Sequence, residues 1–293
     1  MALIPFDDRD GVIWMNGEMV EWRDARTHTL THALHYGSQV FEGERAYGGV
    51  IFKSREHTQR LRKSCHYLDF DLPVSDDEMD AIKDQVLAAN HIVDGYVRAF
   101  CWRGSEMMAI SAQETKIHLA VAAWQWPSYF DPEVKMKGIT LDISDWRRPS
   151  ADSAPVHAKA AGLYMICTLS KHNAEQKGYQ DSLMLDWRGY IAEATGANVF
   201  FLMKDGTLHT PTPDCFLNGI TRQTVIDMAK ARGIEVIERH MKPEDMADAS
   251  ECFLTGTAAE VTPVRQIGDY HFTPAETTRA LVDGYADLVN GRG

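Results

Sequence analysis

Residues 126–135, WPSYFDPEVK, separate two long stretches of regular sequence pattern. They contain two prolines and follow an apolar strand pattern at residues 116–124. Proline restricts its own backbone and that of the residue before it, and such segments are typical of domain boundaries. A chain of 293 residues is long enough for two domains of about 150 residues each. We therefore predict an N-terminal domain at 1–125, a linker at 126–135 and a C-terminal domain at 136–293.

Strand and helix patterns are mixed within each half of the chain. Asn16-Gly17 lies between two runs rich in Val, Ile, Trp and Met, which is typical of a β-hairpin with a type I′ turn. Further on, the pattern predicts a strand at residues 40–47 and a helix at residues 54–68 with Ser54 as its N-cap. Neither half alternates strands and helices regularly enough for a doubly wound sheet, so we predict a mixed α/β (α+β) fold.

The composition excludes several classes of function. Asp plus Glu total 42 against 30 Lys plus Arg, and the net charge of −12 argues against nucleic acid and against an anionic membrane surface. The apolar runs are far shorter than the roughly 20 residues that span a bilayer, and the first residues, MALIPFDDRDG, lack a signal-peptide pattern. Five widely spaced cysteines without a CxxC pair predict reduced thiols in a cytoplasmic protein.

Two ionisable residues have unusually apolar neighbours in the sequence. Lys159 in HAKAAGLYM is surrounded by alanines, and desolvation lowers the pKa of an amine and makes it nucleophilic, as Schiff-base chemistry requires. Glu193 in YIAEATGANVFF lies within a predicted strand, where a buried carboxylate needs a positive partner such as a protonated pyridine nitrogen. The simpler alternatives are a solvent-facing lysine on an alanine-rich turn and a carboxylate at the rim of a strand.

Two further segments have the composition of anion-binding turns. Residues 219–221, GIT, begin a predicted helix whose free N–H groups and threonine hydroxyl suit a phosphate. Residues 255–258, TGTA, follow a predicted strand, and successive amides in such a turn form a second anion site. Because glycine and threonine are common at the ends of elements, neither segment identifies a ligand by itself.

Other catalytic and metal-binding patterns are weak. His28, His32 and His35 have a spacing that suits zinc on a helix, with Asp24 as a further ligand, but the residues between them are more typical of a packed segment. The sequence contains no GxxxxGK[ST] or GxGxxG phosphate loop and no GxSxG serine. We therefore predict no metal site, and nothing in the sequence favours NAD, ATP or serine-hydrolase chemistry.

The order of short motifs along the chain resembles the branched-chain aminotransferases. The motifs are FEGERAY, REHTQRL, YVR, KAAGLY, EATGANVF, GITR and GTAAEVTPV, and the resemblance extends from about residue 10 to residue 268. No single motif is decisive, but seven in this order are highly specific. The resemblance implies a class IV transferase dependent on pyridoxal 5'-phosphate (PLP). It also implies the two-domain fold type IV of the D-amino-acid aminotransferases, with PLP at the domain interface and assembly into a homodimer or larger homo-oligomer.

The resemblance also implies the residues of the cofactor site. Lys159 would form the internal aldimine with PLP and move the catalytic proton. Glu193 would pair with the pyridine nitrogen, Tyr164 would hydrogen-bond the cofactor hydroxyl, and Arg60 would bind the phosphate. The remaining cofactor contacts implied by the resemblance are Leu217, Ile220, Thr221 and Thr257.

Substrate recognition is expected mainly in the N-terminal domain, and the C-terminal domain is expected to bind PLP. Aromatic rings would accept the side chain of L-leucine, L-isoleucine or L-valine, and Arg98 would bind the distal carboxylate of glutamate, so that 2-oxoglutarate is the amino acceptor. The resemblance also implies a role in branched-chain amino acid biosynthesis, although a reversible reaction leaves a catabolic role open. The substrate-binding residues implied by the resemblance are Tyr36, Phe41, Gly43, Arg45, Tyr96, Arg98, Tyr129, Gly256, Thr257 and Ala258.

One segment departs from the family pattern. After Gly104 the chain reads SEMMAIS, where the family usually has a glycine-rich loop that closes over the substrate. Glu106, Met107 and Met108 would change the shape or movement of that loop and leave the substrate open. The alternatives are a transaminase of the same fold for D-amino acids or (R)-amines, an aminodeoxychorismate lyase, and a non-enzymatic metal-binding or assembly protein.

Overall fold

The structure is a computed structural model that describes residues 4–126 and 132–292. The chain divides into two compact units. The first comprises residues 1–127 together with 158–162, and the second comprises the rest of the chain. Among the described residues, no helix combines the length and the apolar character that crossing a membrane requires.

The first unit contains a sheet of seven described strands with three helices. Its elements are β1 (Val12–Met15), β2 (Glu18–Glu21), α1 (His32–Tyr36), β3 (Gln39–Phe41), β4 (Glu44–Tyr47), β5 (Val50–Ile51), α2 (Ser54–Tyr67), α3 (Asp76–Ala89), β6 (Gly95–Arg103) and β7 (Ile117–Gln125). The sheet is antiparallel in the order β2-β1-β7-β6-β4-β5, and β3 also pairs with β6. The helix α3 buries Met79, Ile82 and Val86, which recur at helical spacing, so one face of the helix packs into the core.

The hairpin predicted at Asn16-Gly17 is confirmed. The strands β1 and β2 pair with Met15 opposite Glu18, so only Asn16 and Gly17 form the turn. Both have positive φ, 53° and 105°, as a type I′ turn requires. The local sequence therefore predicts the turn, and two hydrogen bonds between Asn16 and the backbone of Leu119 add to it in the fold.

Two local predictions are wrong. The strand predicted at residues 40–47 is interrupted at Glu42 and Gly43, where the amide of Glu42 donates to the carbonyl of Ala99 at 2.7 Å. The interruption frees the Glu42 side chain for a buried ion pair. Ser54 is the first residue of α2 rather than its N-cap, because Lys53 adopts a left-handed conformation with φ 53° and precedes the helix.

The second unit contains a mixed sheet of nine described strands with four helices. Its elements are α4 (Pro132–Lys135), β8 (Ile139–Arg148), α5 (Tyr164–Gln176), β9 (Asp181–Asp186), β10 (Ile191–Ala194), β11 (Asn198–Met203), β12 (Leu208–Pro211), α6 (Ile220–Ala231), β13 (Val236–Arg239), β14 (Ala249–Gly256), β15 (Glu260–Ile267), β16 (Tyr270–His271) and α7 (Glu276–Val289). The order is β10-β9-β8-β15-β14-β11-β12-β13, with β16 beside β15. The pairs β8–β9, β8–β15 and β12–β13 are parallel. Short 3₁₀ segments occur at Trp22–Asp24, Ala161–Leu163 and Pro243–Asp248.

The central strands of the second sheet are buried on both faces. On β11, Val199 and Phe201 point to one face and Phe200 to the other, and all three are fully buried. Phe200 stacks on Phe253 of β14 with ring centres 5.1 Å apart. Burial on both faces explains the continuous apolar run NVFFLM.

The segment 158–162 packs with the first unit, although the sequence pattern assigned it to the domain at 136–293. The predicted linker at 126–135 lies partly outside the described residues, and the boundaries 1–125 and 136–293 stay predictions. The mixed α/β fold class is confirmed by the two sheets.

Candidate active site

The backbone of Lys159 is held by two elements of the first unit. Its amide donates to Ser64 Oγ of α2 at 3.0 Å, and its carbonyl accepts the amide of Phe41 of β3 at 3.0 Å. Val40 and Ala160 add an antiparallel bridge on the same side. The lysine therefore extends from a fixed backbone.

The side chain of Lys159 is partly buried, and its Nζ lies 4.9 Å from the centre of the Phe41 ring. Burial, the largest cause, and the charge of Arg60 together lower the pKa of Lys159 to about 8, although the carboxylate of Glu42 opposes the shift. Desolvation of this amine was expected from its alanine-rich neighbours. An amine with this pKa is neutral in a substantial fraction of molecules near pH 8.

Glu42 and Arg60 form a buried ion pair beside this lysine. Arg60 donates from Nε and Nη2 to the two oxygens of Glu42, both at 2.7 Å, and His57 Nδ1 lies 2.7 Å from Glu42 Oε2. Burial alone would raise the pKa of Glu42, but Arg60 and His57 hold it well below its usual range. Sequence reasoning named Arg60 and missed Glu42 and His57, although both lie within the FEGERAY and REHTQRL motifs.

Four of the predicted substrate residues lie together in the first unit. The guanidinium carbon of Arg98 is 4.6 Å from the ring centre of Phe41 and 5.4 Å from that of Tyr96. Arg98 also donates to the Tyr96 hydroxyl at 3.4 Å. Gly43 is buried against the same tyrosine, and a Cβ there would collide with its hydroxyl. The group combines aromatic surface with one positive charge.

The other predicted substrate residues of this unit have different surroundings. Arg45 is buried, with its guanidinium carbon 4.9 Å from the ring centre of Tyr47 and Nη2 3.4 Å from the carbonyl of Trp126. Tyr36 is exposed at the end of α1, and its ring contacts that of His32 at a tilt, with ring centres 4.6 Å apart. Tyr129 lies outside the described residues.

A cavity of about 630 Å³ adjoins Arg98. Its walls include Phe6, Trp22 and Trp124, and Phe6 packs edge-on against Trp124 with ring centres 5.1 Å apart. Arg98 Nε and Trp124 Nε1 are both buried and have no hydrogen-bond acceptor within residues 4–126 and 132–292. The sequence pattern did not predict that Trp22 and Trp124 line a cavity, because their only distinguishing feature in the sequence is that they lie in apolar segments.

Glu193 of the second unit has two polar neighbours. Its carboxylate accepts a hydrogen bond from Asn198 Nδ2 at 3.1 Å and lies 3.5 Å from Nε of the buried Arg148. Burial lowers the pKa of Arg148, but the carboxylate of Glu193 and nearby polar groups raise it above its ordinary value overall. Arg148 is the last residue of β8. The sequence pattern did not predict its contact with Glu193, because nothing in the polar segment around it distinguishes this arginine from a surface residue.

Asn198 links this carboxylate to the start of α6. Its side chain donates to the carbonyl of Leu217 at 3.0 Å and accepts the amide of Gly219 at 3.2 Å. Gly219 has no room for a side chain, since a Cβ would collide with Asn198 Oδ1. Gly219 is the N-cap of α6 and supplies no side-chain hydrogen bond to the first-turn amides, where Ile220 and Thr221 are buried.

The predicted turn after β14 lies next to Asn198, because Asn198 and Thr255 are direct partners in the sheet register. Thr255 Oγ1 is buried and has no hydrogen-bond partner within the described part of the chain. Gly256 ends β14, Thr257 is half-buried and Ala258 is exposed.

Tyr164, another predicted cofactor contact, is the first residue of α5 and interacts electrostatically with Arg148. The second unit thus brings Tyr164 and Glu193 around one buried arginine.

The histidines with zinc-like spacing are engaged in other contacts. The helix α1 begins only at His32, so His28 lies outside it. His32 contacts Ser38 Oγ through Nδ1 at 2.7 Å and the carbonyl of Ala109 through Nε2 at 2.9 Å. Both ring nitrogens of His32 are therefore engaged, and Nε2 holds the loop that contains Ala109.

The loop that departs from the family pattern is tied down at two points. Ala109 is held by His32, and Glu106 accepts the amide of Lys116 at 3.0 Å. Met107 is half-buried and Met108 is 41% exposed. The two methionines therefore face different surroundings.

Comparison with known proteins identifies the family. The family model of amino-transferase class IV matches residues 39–267. The branched-chain-amino-acid aminotransferase of Pseudomonas aeruginosa is 39% identical over 97% of this chain and 95% of its own length, and that of Escherichia coli is 41% identical over 95% and 93%. A crystal structure of the Escherichia coli branched-chain amino acid aminotransferase superposes with a TM-score of 0.92 at 36% identity, covering 97% of this chain and 96% of that one. This chain therefore belongs to the class IV aminotransferases, in the group of the branched-chain-amino-acid aminotransferases.

Proposed function

We propose that this chain transfers the amino group of L-leucine, L-isoleucine or L-valine to 2-oxoglutarate with PLP as its cofactor. Crystal structures of a branched-chain amino acid aminotransferase that is 35% identical to this chain contain N-(5'-phosphopyridoxyl)-L-glutamate and 4-methylvaleric acid, which carry the carbon skeletons of glutamate and leucine. Within this chain, the observation that carries the proposal is the amine of Lys159, whose backbone is fixed and whose pKa is lowered to about 8.

The donor groups of each unit match different parts of PLP. In the first unit, the amine of Lys159 suits the aldehyde and the guanidinium of Arg60 suits the phosphate. In the second unit, the carboxylate of Glu193 suits the pyridine nitrogen, and the first-turn amides of Ile220 and Thr221 suit an anion because no side chain caps them. When bound, PLP supplies the electron-withdrawing ring that amino-group transfer requires.

The side chains have distinct proposed tasks in the reaction. Lys159 Nζ accepts and returns the proton of the reacting carbon, which a pKa of about 8 permits in both directions near neutral pH. Glu193 presents a carboxylate whose direction is set by Asn198 and Arg148. Tyr164 would donate a hydrogen bond from its hydroxyl to the cofactor oxygen. Leu217 would pack on the ring, and Thr257 would offer its hydroxyl to the phosphate.

The first unit offers groups for both half-reactions. The rings of Phe41 and Tyr96 accept a branched aliphatic side chain, and Arg98 between them binds the distal carboxylate of 2-oxoglutarate. Gly43 keeps space beside Tyr96. Gly256, Thr257 and Ala258 receive the α-carboxylate, while Tyr36, Arg45 and Tyr129 complete the proposed substrate set.

A panel of amino donors with 2-oxoglutarate tests the proposal. L-leucine should give glutamate and turn the yellow holoenzyme colourless, and the Lys159→Ala variant should lose turnover. Reaction with D-alanine or (R)-1-phenylethylamine in place of L-leucine would identify a shifted specificity. Release of pyruvate from aminodeoxychorismate without any 2-oxo acid would identify a lyase.

We also propose that the chain assembles into a homodimer or larger homo-oligomer. The helix α1, the turn before it and the loop held by His32 expose large apolar side chains on the first unit, and the contact of His32 with Ala109 brings α1 and the loop together. These are Leu30, Leu34, Tyr36, Met108 and Ile110, each between 41% and 84% exposed. Apolar groups of this kind mark interaction surfaces. Light scattering should give a mass of at least twice 33.0 kDa, and a Leu34→Glu variant should shift it towards the monomer.

The state of the cysteines supports a cytoplasmic location for this enzyme. All five cysteines are buried and none is in a disulfide. Reduced thiols are typical of cytoplasmic proteins.

A further inference from the structure

Glu42 lies in the two-residue gap between β3 and β4, and its side chain is completely buried. A buried carboxylate is costly unless it is paired. Here it accepts two hydrogen bonds from Arg60 and lies within hydrogen-bond distance of His57, all at 2.7 Å. Two parallel contacts from one guanidinium fix its orientation as well as its position.

The same face of α2 holds both Glu42 and Lys159. His57, Arg60 and Ser64 follow one another at intervals of three and four residues, so they lie along one side of the helix. The first two bind Glu42, and the third accepts the amide of Lys159. The contact of the carboxylate with α2 is therefore part of the framework that carries the lysine.

We propose that Glu42, oriented by His57, is a positioning residue. It holds the Arg60 guanidinium in the orientation in which the guanidinium binds the phosphate of PLP. This inference rests on the proposed cofactor role of Arg60. A guanidinium has five N–H donors, and the hydrogen bonds to Glu42 engage two of them, so this pairing is compatible with a phosphate contact. A long side chain that is already ordered loses less conformational entropy when the ligand binds.

Glu44 provides a matched control in the same unit. Its carboxylate is also buried and is paired with the buried Lys83 at 2.9 Å. Glu44 lies two residues from Glu42, but its carboxylate pairs with Lys83 of α3 rather than with Arg60. A change at Glu44 reports the general cost of losing a buried carboxylate without changing the partner of Arg60.

The test compares cofactors with and without the phosphate. Dissociation constants of PLP and pyridoxal are measured by absorbance for the reconstituted full chain, in the wild type and in Glu42→Gln, Glu44→Gln, Arg60→Ala and the Glu42→Gln/Arg60→Ala double variant. We expect Glu42→Gln to weaken PLP at least tenfold and pyridoxal less than twofold. Glu44→Gln should leave the ratio of the two constants unchanged. The double variant should bind PLP within twofold of Arg60→Ala alone.

Other outcomes overturn the inference. Equal weakening of PLP and pyridoxal by Glu42→Gln would mean a merely structural role, and an additive double variant would mean that Glu42 does not act through Arg60. If Glu42→Gln does not fold, His57→Leu replaces it, with a smaller loss of PLP affinity expected and no change for pyridoxal. The ³¹P NMR signal of the bound cofactor should shift in Glu42→Gln holoenzyme and not in Glu44→Gln. Failure of the wild type to bind PLP would instead refute the proposed function.

Discussion

Asn198 donates a hydrogen bond to the carboxylate of Glu193 at 3.1 Å. The same side chain accepts the amide of Gly219, so one residue connects an acidic group to the start of α6. Asn198→Ala would leave the Gly219 amide without its acceptor. We expect the free energy of unfolding to fall by about 1–3 kcal/mol in urea titrations, together with weaker PLP binding. Asn173→Ala, which removes an exposed contact to Asp145 at 3.3 Å, is the control, and equal losses would contradict the prediction.

Gly43→Ala tests the close approach of the backbone to Tyr96. The added Cβ would collide with the tyrosine hydroxyl, so we expect a loss of about 1–3 kcal/mol in unfolding free energy and a raised KM for L-leucine. Tyr96→Phe in the same chain removes the hydroxyl and should restore part of the stability. Gly196→Ala has open space around the new Cβ and serves as the control. A Gly43→Ala variant as stable as Gly196→Ala would show that Tyr96 moves away freely.

The lowered pKa of Lys159 makes the stability of the apoenzyme depend on pH. Between about 8, the pKa of the folded state, and 10.5, the unfolded chain binds more protons at this lysine, so its contribution to stability rises with pH in this range. The full change is at most about 3.5 kcal/mol. Urea unfolding of the wild type and of Lys159→Met is compared from pH 7 to 10.5. The unfolding free energy of the wild type minus that of the variant should increase above pH 8. Parallel profiles would refute the assignment.

Lys83→Met breaks a fully buried ion pair. Lys83 donates to Glu44 at 2.9 Å, to Thr58 at 2.8 Å and to the carbonyl of Ser54 at 3.0 Å. Loss of the lysine leaves a buried carboxylate without its cation, and we expect a cost of about 3–5 kcal/mol in unfolding free energy. Replacing both partners, as Lys83→Met/Glu44→Gln, should recover part of it.

Lys177→Met is the exposed counterpart of this change, because Lys177 pairs with Asp142 at 2.7 Å on the surface. It should cost no more than about 1 kcal/mol. Similar losses of unfolding free energy in Lys83→Met and Lys177→Met would show that burial does not determine the strength of these ion pairs.

The sequence could predict features that depend on neighbours along the chain. The turn at Asn16-Gly17 was predicted because positive φ at both positions is a property of those two residue types. The lowered pKa expected for Lys159 followed from its alanine-rich neighbours, and the structure gives the same direction. The division of 40–47 into two strands was not predictable, because Glu42 and Gly43 in the gap contact Ala99 and Tyr96, which lie more than fifty residues away along the chain.

By itself, the sequence determined the family, the mixed α/β fold and the residue types from which a cofactor site can be built. Short motifs, their order and the hydrophobic pattern can all be read along the chain without knowing its contacts. Only the tertiary structure decided which charged and polar groups pair with one another. The pairing of Glu42 with Arg60, the approach of Arg148 to Glu193 and the link from Asn198 to Gly219 join residues that are separated along the chain. Burial makes each of these contacts nearly obligatory, since an unpaired charge or amide in the interior is costly, but which partners meet depends on how the elements pack.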